Sequence, residues 1–402
     1  MKALIYGAGK IGRGFIGLLL AQAGYDIRFV DIDQDLVSAL AQRREYPVRI
    51  VTNAGTDDFC VRGVDAVDGH RMQDVTAAIG ECDIMATSVG VNNLRAIAPL
   101  VAAGLSERFA LKKPPLNILI CENLINSHHA LGRLIRASLS HEDRDLLDLN
   151  VGLIEASIGC VAPVPTPEMC DGDPLRICVD AYRFLPVDAA GFRGGVPRIE
   201  RMIPFDPFEF YIKRKLFIHN MGHATCAYLG IFFGLDYVYQ ACGHLSIQLI
   251  TRCAMEESMR ALCMEYKVDA LDMLSHIDDL MLRFDNRPLG DTCARVANDP
   301  VRKLGRNDRL IGAAQLCIAH GIVPAYIAIG AAAAIHFHIK SMGEAQSCNL
   351  AAETLCEIAN LDFSSQLTTL ILDQYERLIG GASLAAICER ARAQKGADNA
   401  IV

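Results

Sequence analysis

A lysine, an amide and a histidine fall close together in Lys215-Leu-Phe-Ile-His-Asn220-Met-Gly-His223, inside a proline-free run from Tyr211 to Leu235 that reads as a helix. At about 100° per residue, Asn220 lies about 140° and His223 about 80° around from Lys215, so all three project from one side. A lysine serves as a general base near neutral pH once burial or a neighbouring positive charge brings its pKa from about 10.4 towards 7 to 8. An amide can donate to a developing alkoxide oxygen, and a neutral histidine can orient either partner. The same spacing would suit an amphipathic helix with a solvated polar face, so the surrounding elements have to discriminate. His219 and His223 are spaced for a metal, but no third ligand and no Cys-x-x-Cys pair accompany them, and no metal is expected.

The strongest positioning signal is at the start of the chain. Lys2 to Tyr6 form a short apolar strand leading into Gly7-Ala-Gly9-Lys-Ile-Gly12-Arg13-Gly14, and a helix is expected from Ile11 to Ala23. Glycines permit a tight turn and a close backbone approach, and the helix offers its first amides to a pyrophosphate. A second strand, Ile27 to Val30, ends at Asp31, where an acid would bind the adenosine hydroxyls. Strand before, helix after and acid at the end of the next strand are the full context of a dinucleotide site. Asp31, with Asp33 beside it, favours NAD over NADP, and Arg13 is expected to face the pyrophosphate.

Two further strands, Asp83 to Ser88 and Leu116 to Cys121, continue the alternation. Ligands of a doubly wound sheet sit beyond the carboxyl ends of its strands. The loops at Thr87-Ser88-Val89-Gly90 and Glu122-Asn123-Leu124 are therefore expected beside the nicotinamide, with Ser88 and Gly90 on the cofactor. Asn123 suits a second amide donor and equally suits a helix N-cap. Residues 150 to 205, rich in proline from Pro163 through Pro165 and Pro167 to Pro204, read as sheet tail and connector. From Pro207 onward the pattern is helical. The expected architecture is α/β: a Rossmann NAD-binding domain over 1–200, then a mostly α-helical substrate and catalytic domain over 201–402. In the latter, Asp299-Pro300 reads as a helix N-cap and N1 pair, and Arg302, Lys303, Arg306 and Arg309 follow. That cluster would suit an anionic substrate or a solvated helix face.

Composition narrows the function classes. A 51% apolar chain of 402 residues supports large cores in two domains, and a net charge of −8 argues against nucleic acid or an anionic membrane as partner. The apolar run Val323 to Ile335 is too short to span a bilayer and reads as a buried Ala-rich helix. The fifteen cysteines, none spaced as a zinc ribbon, read as reduced and buried, and no export signal is recognised at the start. A cytoplasmic monomer or small homo-oligomer acting on a small molecule is expected.

Taken together, the opening Met1 to Gly17, Cys121-Glu-Asn123, Arg214-Lys-Leu-Phe with Asn220 and Gly222-His223, Ala227-Tyr-Leu-Gly230, Arg302-Lys-Leu and Asp308-Arg-Leu-Ile311 resemble the polyol-specific long-chain dehydrogenase/reductases, the mannitol dehydrogenase family. The resemblance covers both expected domains. It implies a metal-independent NAD enzyme interconverting a sugar-alcohol phosphate and a ketose phosphate, D-mannitol 1-phosphate and D-fructose 6-phosphate first among them. It also implies that the substrate lies between the domains. Lys215 would be the general base, Asn123 and Asn220 the oxyanion-stabilising pair, and His223 the substrate-orienting residue. Arg302, Lys303 and Arg309 would bind the distal phosphate.

One segment departs from the family pattern. Where members usually read Val-Asp-Arg-Ile before a proline, this chain reads Ile158-Gly159-Cys160-Val161. A roomier, less charged pocket is expected there, leaving open an unphosphorylated polyol or sugar acid as substrate. The loss also leaves open a non-catalytic NAD-binding regulatory protein, against which the retention of Lys215, Asn220 and His223 weighs.

Overall fold

The computed structural model describes residues 1–163 and 166–396, and the packing of the chain divides between Tyr211 and Ile212. Pro165 lies outside the described residues. In the first unit, the strands in chain order are β1 (Lys2–Tyr6), β2 (Asp26–Asp31), β3 (Glu45–Thr52), β4 (Gly55–Arg62), β5 (Val64–Asp68), β6 (Ile84–Thr87), β7 (Leu116–Ile120) and β8 (Val151–Glu155). Six of them make one all-parallel sheet in the order β5-β2-β1-β6-β7-β8. This is the doubly wound order, reversing between β1 and β6.

The apolar run of β1 follows from its central place. Ile5 lies opposite Phe29 on one side and Ala86 on the other. Ala3 and Ile5 enter a core with Phe15, Ile27 and Phe29, whereas Leu4 and Tyr6 enter a second core with Ile79, Val101 and Ile118. A strand covered on both faces has no polar side, which is why alternation is absent from its sequence.

The sequence reading did not anticipate the hairpin of β3 and β4, extended on its other side by β9 (Ile177–Val179) in parallel. The expected sheet tail is β8. Beyond it, β10 (Leu185–Asp188) pairs in parallel with β11 (Met202–Phe205), so these last residues stay with the first unit. The division therefore comes later than the change of sequence pattern near 200.

Among its described residues the second unit contains no strand, only the single bridge between Tyr237 and Thr292. Its centre is the helix Met221–Phe232, against which Leu245–Tyr266 and Ala325–Ser341 pack. Close approach is built into the sequence. A Cβ on Gly222 would fall 2.5 Å from the Met255 sulfur, and one on Gly330 would fall 2.3 Å from Thr225 Oγ1. The Ala-rich segment is buried from Ala325 to Ile335, as its composition implies. Among the described residues no helix is long and apolar enough to cross a membrane.

Candidate active site

The helix carrying Lys215 is irregular. It runs as an α-helix over Glu209–Arg214, opens into a π-turn over Lys215–Asn220, and resumes as an α-helix at Met221–Phe232. A π-turn closes between residues i and i+5, so Asn220 stands one turn on from Lys215 and nearer to it around the axis than a regular helix would place it. The regular spacing assumed from sequence is corrected on this point, with a smaller angle between the two positions.

Lys215 is partly buried, and its amine is pulled from 10.5 to about 8, first by burial and then by the positive charge of Arg309. That drop raises the neutral fraction at pH 7 roughly 300-fold. Arg309 is itself buried at 8% exposure, with its Nε donating to Asp308 Oδ1 at 2.7 Å. Lys303, 5% exposed, is lowered to about 8 as well, by burial and then by Arg309 and Arg302. Arg309 thus repels both Lys215 and Lys303, each of them poorly solvated. Arg309 was singled out from sequence for an anionic ligand; its influence on Lys215, ninety-four positions earlier, carries no local sequence signal.

His223 Nε2 lies 3.0 Å from Oδ2 of Asp291, and its ring stacks on Phe284 with centroids 4.9 Å apart. Sequence reasoning missed Asp291, since nothing in Gly290-Asp291-Thr292 marks it as more than a turn. His219, one turn from His223, is kept neutral by burial, with Arg283 and His223 adding to the effect. Among the described residues no group of three or more His, Cys, Asp or Glu is arranged so that it could hold a metal ion.

In the first unit, Gly7 has φ +103°, which an L side chain rarely adopts, and a Cβ on Gly12 would fall 2.0 Å from the Gly7 carbonyl oxygen. A Cβ on Gly9, by contrast, meets nothing within 4 Å. The loop is therefore held tightly on its inner side and open on its outer side, as a backbone approached by a pyrophosphate requires. Asp31 ends β2, where its Oδ2 accepts the Ala8 N–H at 2.6 Å, and Asp33 caps the following helix by accepting from the Leu36 N–H. Ser88 Oγ donates to the Gly7 carbonyl at 3.0 Å, bracing the same loop. The amides of Val89 and Gly90 both donate to the buried Glu122 carboxylate at 2.9 Å. The chemistry of these residues fits NAD. Asn123 is exposed on the loop after β7 and does not cap the next helix, whose N-cap is Asn126.

Three expectations need correction. Arg13 does not face the open side of the loop. Its guanidinium is buried and donates to the carbonyls of Ala8 and Leu175, both at 2.7 Å, so it ties the loop to a distant segment. Arg302 is exposed, whereas Lys303 and Arg309 are buried, and its guanidinium is engaged by Asp299 at 2.7 Å and Asp308 at 3.5 Å, so it does not share their poorly solvated setting. Around Gly159 no extra room opens. A Cβ there would fall 2.7 Å from the Tyr182 ring, and Cys160 is buried in the core, so Tyr182 occupies the space an aspartate would need.

Residues 1–201 match the mannitol dehydrogenase Rossmann domain and residues 208–370 the mannitol dehydrogenase C-terminal domain. A mannitol-1-phosphate 5-dehydrogenase of Geobacillus thermodenitrificans is 34% identical over 94% of this chain and 99% of its own. One of Bacillus velezensis is 36% identical over 86% and 90%. Among solved structures, the fold resembles Pseudomonas fluorescens mannitol 2-dehydrogenase in ternary complex with NAD and D-mannitol, with TM-score 0.76, 14% identity and coverage of 97% of this chain and 94% of that one. It also resembles D-sorbitol dehydrogenase in substrate-free form, with TM-score 0.81, 13% identity and coverage of 96% and 95%. With both units matched in order and homology extending over almost the whole length, the chain belongs to the mannitol dehydrogenase family.

Proposed function

We propose that the chain is an NAD-dependent dehydrogenase interconverting a sugar-alcohol phosphate and a ketose phosphate, with D-mannitol 1-phosphate and D-fructose 6-phosphate as the first candidates. The observation that carries this is the depressed amine of Lys215 beside Asn220 and His223, in a chain whose curated relatives bear the name mannitol-1-phosphate 5-dehydrogenase. Residues 1–200 act as the cofactor domain and 201–402 as the substrate and catalytic domain, in a cytoplasmic monomer or small homo-oligomer.

NAD, when bound, accepts the hydride from the carbon that carries the hydroxyl. Lys215 Nζ takes the hydroxyl proton during oxidation and returns it during ketone reduction. The amides of Asn220 and Asn123 donate to the reacting oxygen as charge develops on it. His223 orients the substrate. Lys303 and Arg309, rather than Arg302, bind the phosphate end, because a dianion relieves the repulsion between two poorly solvated cations. A second reading, the same chemistry on an unphosphorylated polyol or a sugar acid, draws its support from the carboxylates of Asp299 and Asp308, which already engage Arg302 and Arg309.

NADH consumption by the purified protein, followed against fructose 6-phosphate, fructose, other ketose phosphates and keto-sugar acids, tests the proposal. Turnover of fructose 6-phosphate with little on fructose is expected. Preference for an unphosphorylated ketose would favour the second reading, and silence across the panel would sink both.

Arg309→Gln should act on two quantities at once. The KM for a phosphorylated substrate should rise at least tenfold. Without the neighbouring charge the Lys215 pKa should also rise, so the alkaline-favoured limb of oxidation should move to higher pH. A pH profile of kcat left in place would contradict the Arg309–Lys215 coupling.

A further inference from the structure

His223 is held from outside its own helix. Asp291 Oδ2 lies 3.0 Å from His223 Nε2, and Arg295 Nε donates to Asp291 Oδ1 at 2.6 Å. The backbone around this carboxylate is fixed on both sides. The Asp291 carbonyl accepts the Val238 N–H at 2.9 Å, the Cys293 N–H donates to the Asp236 carbonyl at 2.8 Å, and Thr292 caps the short helix Cys293–Ala297. Asp291 is only 8% exposed, so each carboxylate oxygen has one protein partner and little water. Phe284 fixes the plane of the imidazole, its ring lying 13° from that of His223.

An ionised carboxylate can only accept hydrogen bonds. Asp291 stays ionised: burial pushes its pKa up, but the bonds from His223 and Arg295 outweigh that and hold it at about 2. The proton of a neutral His223 must then sit on Nε2, which leaves Nδ1 with a lone pair.

We propose that Asp291 is a positioning residue that fixes the tautomer and ring plane of His223, so that Nδ1 is presented as the acceptor for a substrate hydroxyl. The assignment of that hydroxyl rests on the dehydrogenase reading; the tautomer does not. A carboxylate partner on the far nitrogen of a functional histidine is a general means of setting which nitrogen faces the ligand.

The direct test is ¹⁵N NMR of the histidine side chains, with the His223 signals assigned by their loss in His223→Gln. In the wild-type protein without substrate, Nε2 is expected to carry the proton, and a protonated Nδ1 with bare Nε2 would overturn the proposal without any variant at Asp291. Asp291→Asn gives the second arm. Arg295 can only donate, so it holds the new amide with its oxygen towards Arg295 and its NH2 towards Nε2. The His223 tautomer should therefore reverse. The kcat/KM should fall about 10- to 100-fold, the size of loss that follows removal of a carboxylate partner from a metal-ligating histidine. NAD affinity, measured by titration, should be unchanged, and Asp291→Glu should recover part of the activity. An unchanged tautomer in Asp291→Asn, or kcat/KM within twofold of wild type, would overturn the proposal. Failure of the wild type to turn over any substrate would instead count against the dehydrogenase reading, since the NMR arm needs no turnover.

Discussion

Lys215→Ala is expected to lower kcat for polyol oxidation by about 10²- to 10⁴-fold with little change in KM, which is the usual contribution of a positioned general base. The structure supplies the reason for an effect of that size. An ordinary lysine is almost wholly protonated at neutral pH, whereas the Lys215 amine is pulled to about 8 by burial and by Arg309. The π-turn at Lys215–Asn220 brings an amide donor one turn away. Removing the amine leaves the donors in place, so substrate should still bind. Residual activity within tenfold of wild type would contradict the assignment.

Gly9→Ala and Gly12→Ala should separate cofactor binding from folding. At Gly12 the new methyl would fall 2.0 Å from the Gly7 carbonyl oxygen and 2.7 Å from Ser88 Oγ, so the helix must move away from the loop. Overpacking of this kind typically destabilises by about 1–3 kcal/mol, and here backbone is the obstacle. Both the melting temperature and NAD affinity should fall. At Gly9 the methyl meets no protein atom within 4 Å, and the residue does not have positive φ. Stability should hold, or improve by a few tenths of a kcal/mol. NAD affinity should nevertheless drop more than tenfold, because the methyl stands where the pyrophosphate is expected. Unaltered NAD titration in Gly9→Ala would place the cofactor elsewhere.

These contrasts show which parts of the molecule a reader of the sequence can reach. The first strand, the glycine loop and Asp31 are legible because they meet within one βαβ unit, where Ala8 and Asp31 lie 23 positions apart. Lys215, Asn220 and His223 are close in sequence and share one continuous helical run, although the π-turn changes their angular relation. Most of what the sequence hides depends on packing between separate segments. Arg13 was assigned to the pyrophosphate because its neighbours in sequence suggested it, while one of its acceptors, Leu175, lies 162 positions away. Gly159 read as a vacancy until Tyr182 was found over it. Asp291 is invisible from His223, sixty-eight residues earlier, because a turn residue becomes a histidine partner only through helix packing. The hairpin of β3 and β4 stands apart, since its two strands are adjacent and were simply not recognised between the second and third strands of the main sheet.

The central claim is that a lysine with a depressed pKa removes the proton in an NAD-dependent oxidation, and the pH dependence of kcat for D-mannitol 1-phosphate oxidation tests it most directly. In the enzyme–substrate complex kcat reports the base itself. The neutral amine is the active form and its population grows with pH, so kcat should rise and level off with a midpoint at or below about 8, the positive nicotinamide ring lowering it further. The residual activity of Lys215→Ala should lack this limb. A flat profile in the wild type, or the same limb persisting in Lys215→Ala, would contradict the account.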